Sequence, residues 1–140
     1  MTTARPSAPA EERCFSLLRE PTLILVRLFG DIDDRQSQAW RDRLSAEIQA
    51  RGAPRFVAFD MSDAHPRNSM STRFAVAAYA RDLMKRVDWA ILLMPSSIGS
   101  ALVVRLVAGI VATTRVSLLG DRPRFEQALS SLRKGERPQG

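Results

Sequence analysis

Three kinds of side chain in this sequence have the chemistry to act: a serine where a helix should begin, a set of aspartates, and one histidine. Ser69 lies in the polar run Asp60-Met61-Ser62-Asp63-Ala64-His65-Pro66-Arg67-Asn68-Ser69-Met70-Ser71-Thr72-Arg73. A serine at a helix start is first a cap, its hydroxyl satisfying a free N–H for about 1 kcal/mol. Phosphorylated, it would add a charge near −2 beside the positive helix end, which stabilises the helix rather than melting it. A switch there would act on a partner surface by repulsion or steric block. Arg73, at i+4, is placed to pair with such a phosphate or to flank the turn in solvent.

Asp31, Asp33, Asp34, Asp60 and Asp121 could gather at one sheet end and hold Mg²⁺. A phospho-acceptor pocket of that kind also needs a basic residue at the end of the last strand, where the chain offers Leu119-Gly120-Asp121. These aspartates therefore read as caps and turn residues. His65 precedes a proline and has no Ser or Cys nucleophile at an interpretable spacing, so it reads as a loop histidine. The single Cys14 excludes an internal disulfide and a multi-Cys zinc site, and the single histidine excludes a His-rich metal centre. With no Gly-rich phosphate loop either, the expectation is a protein that is not an enzyme and holds no metal or cofactor.

The elements that must position these residues follow from periodicity. Residues 14–18 form a short strand and 22–29 a clear one, with Glu20-Pro21 between them. After Gly30, Trp40, Leu44 and Ile48 recur at helical spacing, Asp33 and Gln36 resemble a capping box, and Gly52 and Pro54 stop the helix. The apolar run Phe56-Val57-Ala58-Phe59 ending at Asp60 is a strand buried on both faces. Helix 69–86, strand 89–94, helix 97–112, strand 116–119 and a last helix carrying Phe125, Ala128, Leu129 and Leu132 complete the order ββαβαβαβα. This is an α/β fold: a mostly parallel sheet of about five strands with one antiparallel edge strand and helices packed on it. Val26, Val57, Ile91 and Leu118 should be buried, and Asp60 should end its strand, with Asp63–Asn68 as a loop beyond it.

Length and composition agree. The chain has 140 residues, 45% of them hydrophobic and 26% charged, the size and make-up of one globular domain. Residues 13–132 read as that domain, 1–12 as a disordered leader without a secretory h-region, and 133–140 as a polar tail. A cytoplasmic location is expected. The formal net charge is +6, but 19 of the 21 basic residues are scattered arginines without a nucleic-acid motif, so no nucleic-acid partner is expected. The most apolar stretch, 98–111, is too short for the roughly 20 residues of a membrane span and reads as a buried helix. Its large residues Ile98, Leu102, Leu106 and Ile110 take one side. Ser97, Ala101, Arg105, Ala108 and Ala112 take another, a small face suited to close packing inside the domain, to a homodimer or to a lipid contact. In helix 69–86 the stripe Val76, Ala77, Ala80, Leu83, Met84 and Val87 faces the sheet. Phe74 lies about 120° from it and should be partly exposed.

The stretch Phe56–Ser71 resembles the signature of the STAS domain, the sulfate-transporter and anti-sigma-factor-antagonist family. In that family a buried strand ends in Asp-Leu-Ser and a loop leads to Asp-Ser-Ser/Thr-Gly at a helix start. Asp60-Met61-Ser62 matches the first part, and Asn68-Ser69-Met70-Ser71 falls on the second, with Asn68 in place of Asp and Ser71 in place of Gly. The ending Val116–Asp121 with Phe125, Ala128 and Leu129 also resembles the divergent STAS-like branch grouped with CRAL-TRIO-type lipid-binding sequences. The resemblance implies a regulatory protein working by protein–protein contact, with Ser69 on the phosphorylatable serine and a partner such as a kinase-like anti-sigma factor or another regulator. The expected docking surface comprises Asp63, His65, Arg67, Asn68, Ser69, Met70, Arg73 and Phe74. The alternatives are a module for a small apolar or lipid-like ligand and a phosphate-handling enzyme using the carboxylates.

Overall fold

The computed structural model describes residues 13–138; the leader read over 1–12 lies outside them. The elements are β1 (Phe15–Arg19), β2 (Leu23–Ile32), α1 (Asp34–Arg51), β3 (Phe56–Pro66), α2 (Met70–Met84), β4 (Trp89–Leu93), α3 (Ile98–Val111), β5 (Val116–Leu119) and α4 (Arg122–Arg133). The five strands lie in chain order in one sheet. β1 pairs antiparallel with β2, and each later neighbour pairs in parallel, because a helix carries the chain back between successive parallel strands.

Alternation along β3 divides the core. Val57 and Phe59 face Ile24, Val26, Leu28 and Trp40 on the side covered by α1 and α2. Phe56 and Ala58 face Leu23, Ile91, Phe125 and Leu129 on the side covered by α4. Trp40 anchors the first side, edge-on to Phe59 at 5.7 Å and to Tyr79 at 5.8 Å between ring centroids, a favoured aromatic geometry.

Four expectations are corrected. Asp60 does not end its strand: β3 runs on to Pro66, and residues 63–66 pair with 29–32 of β2, so Asp63 and His65 are strand residues rather than loop residues. The register shifts between Arg27 and Phe29, where β3 carries one residue more than β2. Such a bulge reverses the alternation, so Ala64 and Pro66 follow Phe59 and Met61 on the α1 side. Gly30 continues β2 instead of closing it, with φ +73 and the Cys14 sulfur 3.6 Å from where a Cβ would sit. Helix α3 is not a buried helix. Only Val104 is buried, while Ile98 is 82% and Leu102 62% exposed. Leu118 is half-buried because β5 is the sheet edge; Val26, Val57 and Ile91 are buried as expected.

Within the stretch read as a polar tail, the Gly135 carbonyl accepts from Arg55 Nη1 at 2.7 Å and the Arg137 guanidinium lies 5.6 Å from the Trp89 ring. No described helix is long and apolar enough to cross a membrane.

Candidate functional site

Ser69 caps α2. Its Oγ accepts from Thr72 N at 3.2 Å and lies 3.1 Å from Ser71 Oγ, and the residue is exposed. The extended strand pair delivers the chain to this point, and α1 fixes it: Ser69 N–H donates to Asp34 Oδ1 at 2.7 Å. That hydrogen bond is the main reason the Asp34 carboxyl is held below its usual value. Asn68 Oδ1 accepts from Arg73 Nε at 3.1 Å, and Arg73 Nη1 also reaches Met70 Sδ at 3.6 Å. The guanidinium is thus held one turn along from the serine hydroxyl.

Of the residues expected to form the docking surface, Asn68, Ser69, Met70 and Arg73 are brought together at this helix start. Arg67 is exposed beside them and pairs with Asp31 at 3.5 Å. Phe74 is 55% exposed and Met70 49%, so the helical period identified the exposed flank correctly. Asp63 and His65 do not join the group. Asp63 is an exposed β3 residue paired in register with Phe29. His65 turns toward the start of α3, with Nδ1 3.5 Å from Ser100 Oγ.

Exposed apolar side chains also occur on α3. Arg81 Nη2 donates to the carbonyl of Ile110 at 2.9 Å, which fixes the side of α2 that faces α3. Phe74 precedes Arg81 by seven residues, two helical turns, and so lies on that same flank. On α3 the exposed Ile98, Leu102 and Leu106 recur every fourth residue, one row along the helix. The two packed helices α2 and α3 thus each carry exposed apolar side chains.

Sequence reasoning missed a second polar centre. Asp60 is only 2% exposed and faces α4, where Arg122 Nη2 donates to its Oδ2 at 2.9 Å and to Ser62 Oγ at 3.0 Å. Ser62 donates to Asp60 Oδ1 from both its backbone N (3.1 Å) and its Oγ (2.8 Å), and Arg27 Nε lies 3.5 Å from Oδ2. Burial, the largest single influence, pushes the Asp60 carboxyl up; the hydrogen bonds from Arg122 and Ser62 together outweigh it and hold the carboxyl below its ordinary value. The basic residue sought at the end of the last strand is therefore present, three positions past Leu119 in the first turn of α4.

The remaining carboxylates are committed locally. Asp33 caps α1, accepting from Gln36 N at 2.8 Å, while the Gln36 side chain accepts from Cys14 N rather than closing a capping box. Asp121 caps α4 through Arg124 N at 2.8 Å. Among the described residues no group of three or more His, Cys, Asp and Glu side chains is placed to hold a metal ion.

No family model and no curated protein sequence matches the chain. Among solved structures it is similar to the anti-sigma factor antagonist SpoIIAA in its unphosphorylated form, with a TM-score of 0.59 and 21% identity over 85% of this chain and 97% of that one. It is also similar to the Bacillus cell fate determinant SpoIIAA in the phosphorylated form, with a TM-score of 0.54 and 19% identity over 80% of this chain and 96% of that one. At such identities the likeness is one of fold: the chain has the STAS-type α/β fold of SpoIIAA.

Proposed function

We propose that this protein is a non-enzymatic, cytoplasmic regulator of the anti-sigma factor antagonist type. In this reading it docks a protein partner, a kinase-like anti-sigma factor or another regulator, through the N-terminal end of α2, and phosphorylation of Ser69 switches that contact. The observation that carries the reading is the exposed Ser69 hydroxyl at a helix cap, one turn from the exposed Phe74.

The physical logic of the switch follows from the cap. A phosphate on Oγ meets the free N–H groups and positive end of α2, so the helix stays formed. On one side Arg73 can turn from Asn68 to the phosphate; on the other the Asp34 carboxylate, bonded to the Ser69 N–H, repels it. The fold hardly changes, and the charge is felt by whatever covers Met70 and Phe74.

The test compares Ser69→Asp, Ser69→Ala and Phe74→Ala for partner affinity and melting temperature. Docking here predicts loss of binding by Ser69→Asp and Phe74→Ala with melting temperatures close to that of the unaltered protein. If all three variants bind normally and Ser69→Ala only melts earlier, by the roughly 1 kcal/mol of a lost cap, Ser69 is a cap and nothing more.

A further inference from the structure

Helix α3 turns one apolar face outward. Ile98 is 82%, Leu102 62% and Leu106 46% exposed, and Gly99 and Gly109 are exposed with them. By the 3.6-residue period these five fall within one arc of about 100°, on the side away from the buried Val104. The glycines are the sharper signal. Glycine is a poor helix residue beside alanine, neither glycine has a positive φ, and a Cβ placed on either would meet nothing within 4 Å among the described residues. Packing within the chain does not call for the missing side chains; a second backbone passing close outside would.

Residue order identifies that second backbone. Ile98 and Ile110, Gly99 and Gly109, and Leu102 and Leu106 stand at equal distances on either side of Val104. A two-fold axis at that level turns the helix end for end onto a copy of itself, so that each member of a pair meets the other across the contact, the condition of an isologous interface. The leucines then lie side by side at the centre, and glycine faces glycine toward each end. Arg105 is the only charge in α3 and falls just outside the arc, so two copies of a chain of net charge +6 can meet here without burying a charge. A helix that lies on a membrane carries a polar face rich in Lys and Arg beside its apolar one, which α3 lacks.

We propose that α3 packs antiparallel against α3 of a second copy of this chain, with the two-fold axis level with Val104. The contact runs about 18 Å from Ile98 to Ile110 and buries less than the roughly 800 Å² per partner of a standard interface. The dimer is therefore concentration-dependent rather than obligate. It stands independently of the docking surface.

Sedimentation equilibrium of the full chain should show a monomer–dimer equilibrium. The double variant Gly99→Ala with Gly109→Ala should melt no lower than the parent, since alanine favours the helix, yet dimerise about fivefold or more weakly because its methyl groups overfill the closest approach. Register is read in a Cys14→Ser background by mixing Leu102→Cys with a mass-tagged Leu106→Cys in a glutathione redox buffer. Disulfides between 102 and 106 should predominate over 102–102 and 106–106. A parent that stays monomeric up to ~1 mM, dimerisation unaffected by the two alanines, or like pairs equal to mixed ones overturns the proposal. So does a chain that stays monomeric but binds phosphatidylglycerol vesicles in a way that Leu102→Arg abolishes, which would assign the stripe to a lipid surface. Ser69→Asp and Phe74→Ala should dimerise like the parent, which separates failure of this contact from failure of the docking reading.

Discussion

Replacing Arg122 with methionine keeps a long side chain in the first turn of α4 and removes the guanidinium from Asp60. The Asp60 side chain is 3% exposed and that of Arg122 46%. Breaking a fully buried pair costs about 3–5 kcal/mol, but here one partner is half in solvent, Ser62 still donates twice, and Arg27 remains at 3.5 Å. The expected loss is therefore about 1–3 kcal/mol, a fall of roughly 3–10 °C in melting temperature for a domain of this size. The pH dependence has a definite sign. A carboxyl held below its unfolded value stabilises the fold above the unfolded value, near 3.9, and loses that contribution as pH falls through the folded value. In the variant, burial acts on Asp60 with less opposition, so its carboxyl protonates at higher pH. The stability gap between the two proteins should then be widest near neutral pH and narrow toward pH 3. Urea melts at pH 7 and pH 3.5 measure it; equal stability at pH 7, or a gap that widens on acidification, refutes the assignment of Asp60 and Arg122 as a stabilising pair.

Three further outcomes are expected. Gly30→Ala should cost about 1–2 kcal/mol, the penalty for a left-handed backbone, and not more, since its Cβ would meet only the Cys14 sulfur at an ordinary 3.6 Å; chemical denaturation checks it. Asp33→Ala should lower stability by about 0.5–2 kcal/mol through loss of the α1 cap and leave partner affinity unchanged. Burial, followed by the nearby Asp33 and Asp31 carboxylates, raises the Cys14 thiol above its ordinary value, so iodoacetamide at pH 8 should alkylate the folded protein more slowly than the urea-unfolded chain.

Element order was legible because the signals for it are local: period-two and period-3.6 apolar patterns, Asp33, Ser69 and Asp121 at helix starts, and Gly52 after α1. The strand extensions were not, since Gly30-Asp31 and Asp63 through Pro66 carry turn-like residue types, and their pairing joins segments more than thirty residues apart. The exposure of α3 was not legible for a different reason. Apolar residues surround that helix, and periodicity cannot decide how much of it will be covered; the valines at 103, 104 and 107 turn inward, while Ile98, Leu102 and Leu106 stay exposed. At the candidate site, the Ser69 cap and the exposure of Phe74 followed from spacing alone. The Asp60–Arg122 pair spans 62 residues, and only the sheet brings its members together.

The docking claim is tested most directly by a photo-reactive benzophenone amino acid placed at position 74, with position 124, exposed on α4, as the control, in cells that make the protein. The account predicts a crosslink from position 74 to one protein species, none to that species from position 124, and loss of the crosslink when Ser69→Asp is added. The same species captured equally from both positions, or a crosslink at 74 that Ser69→Asp leaves intact, would contradict it.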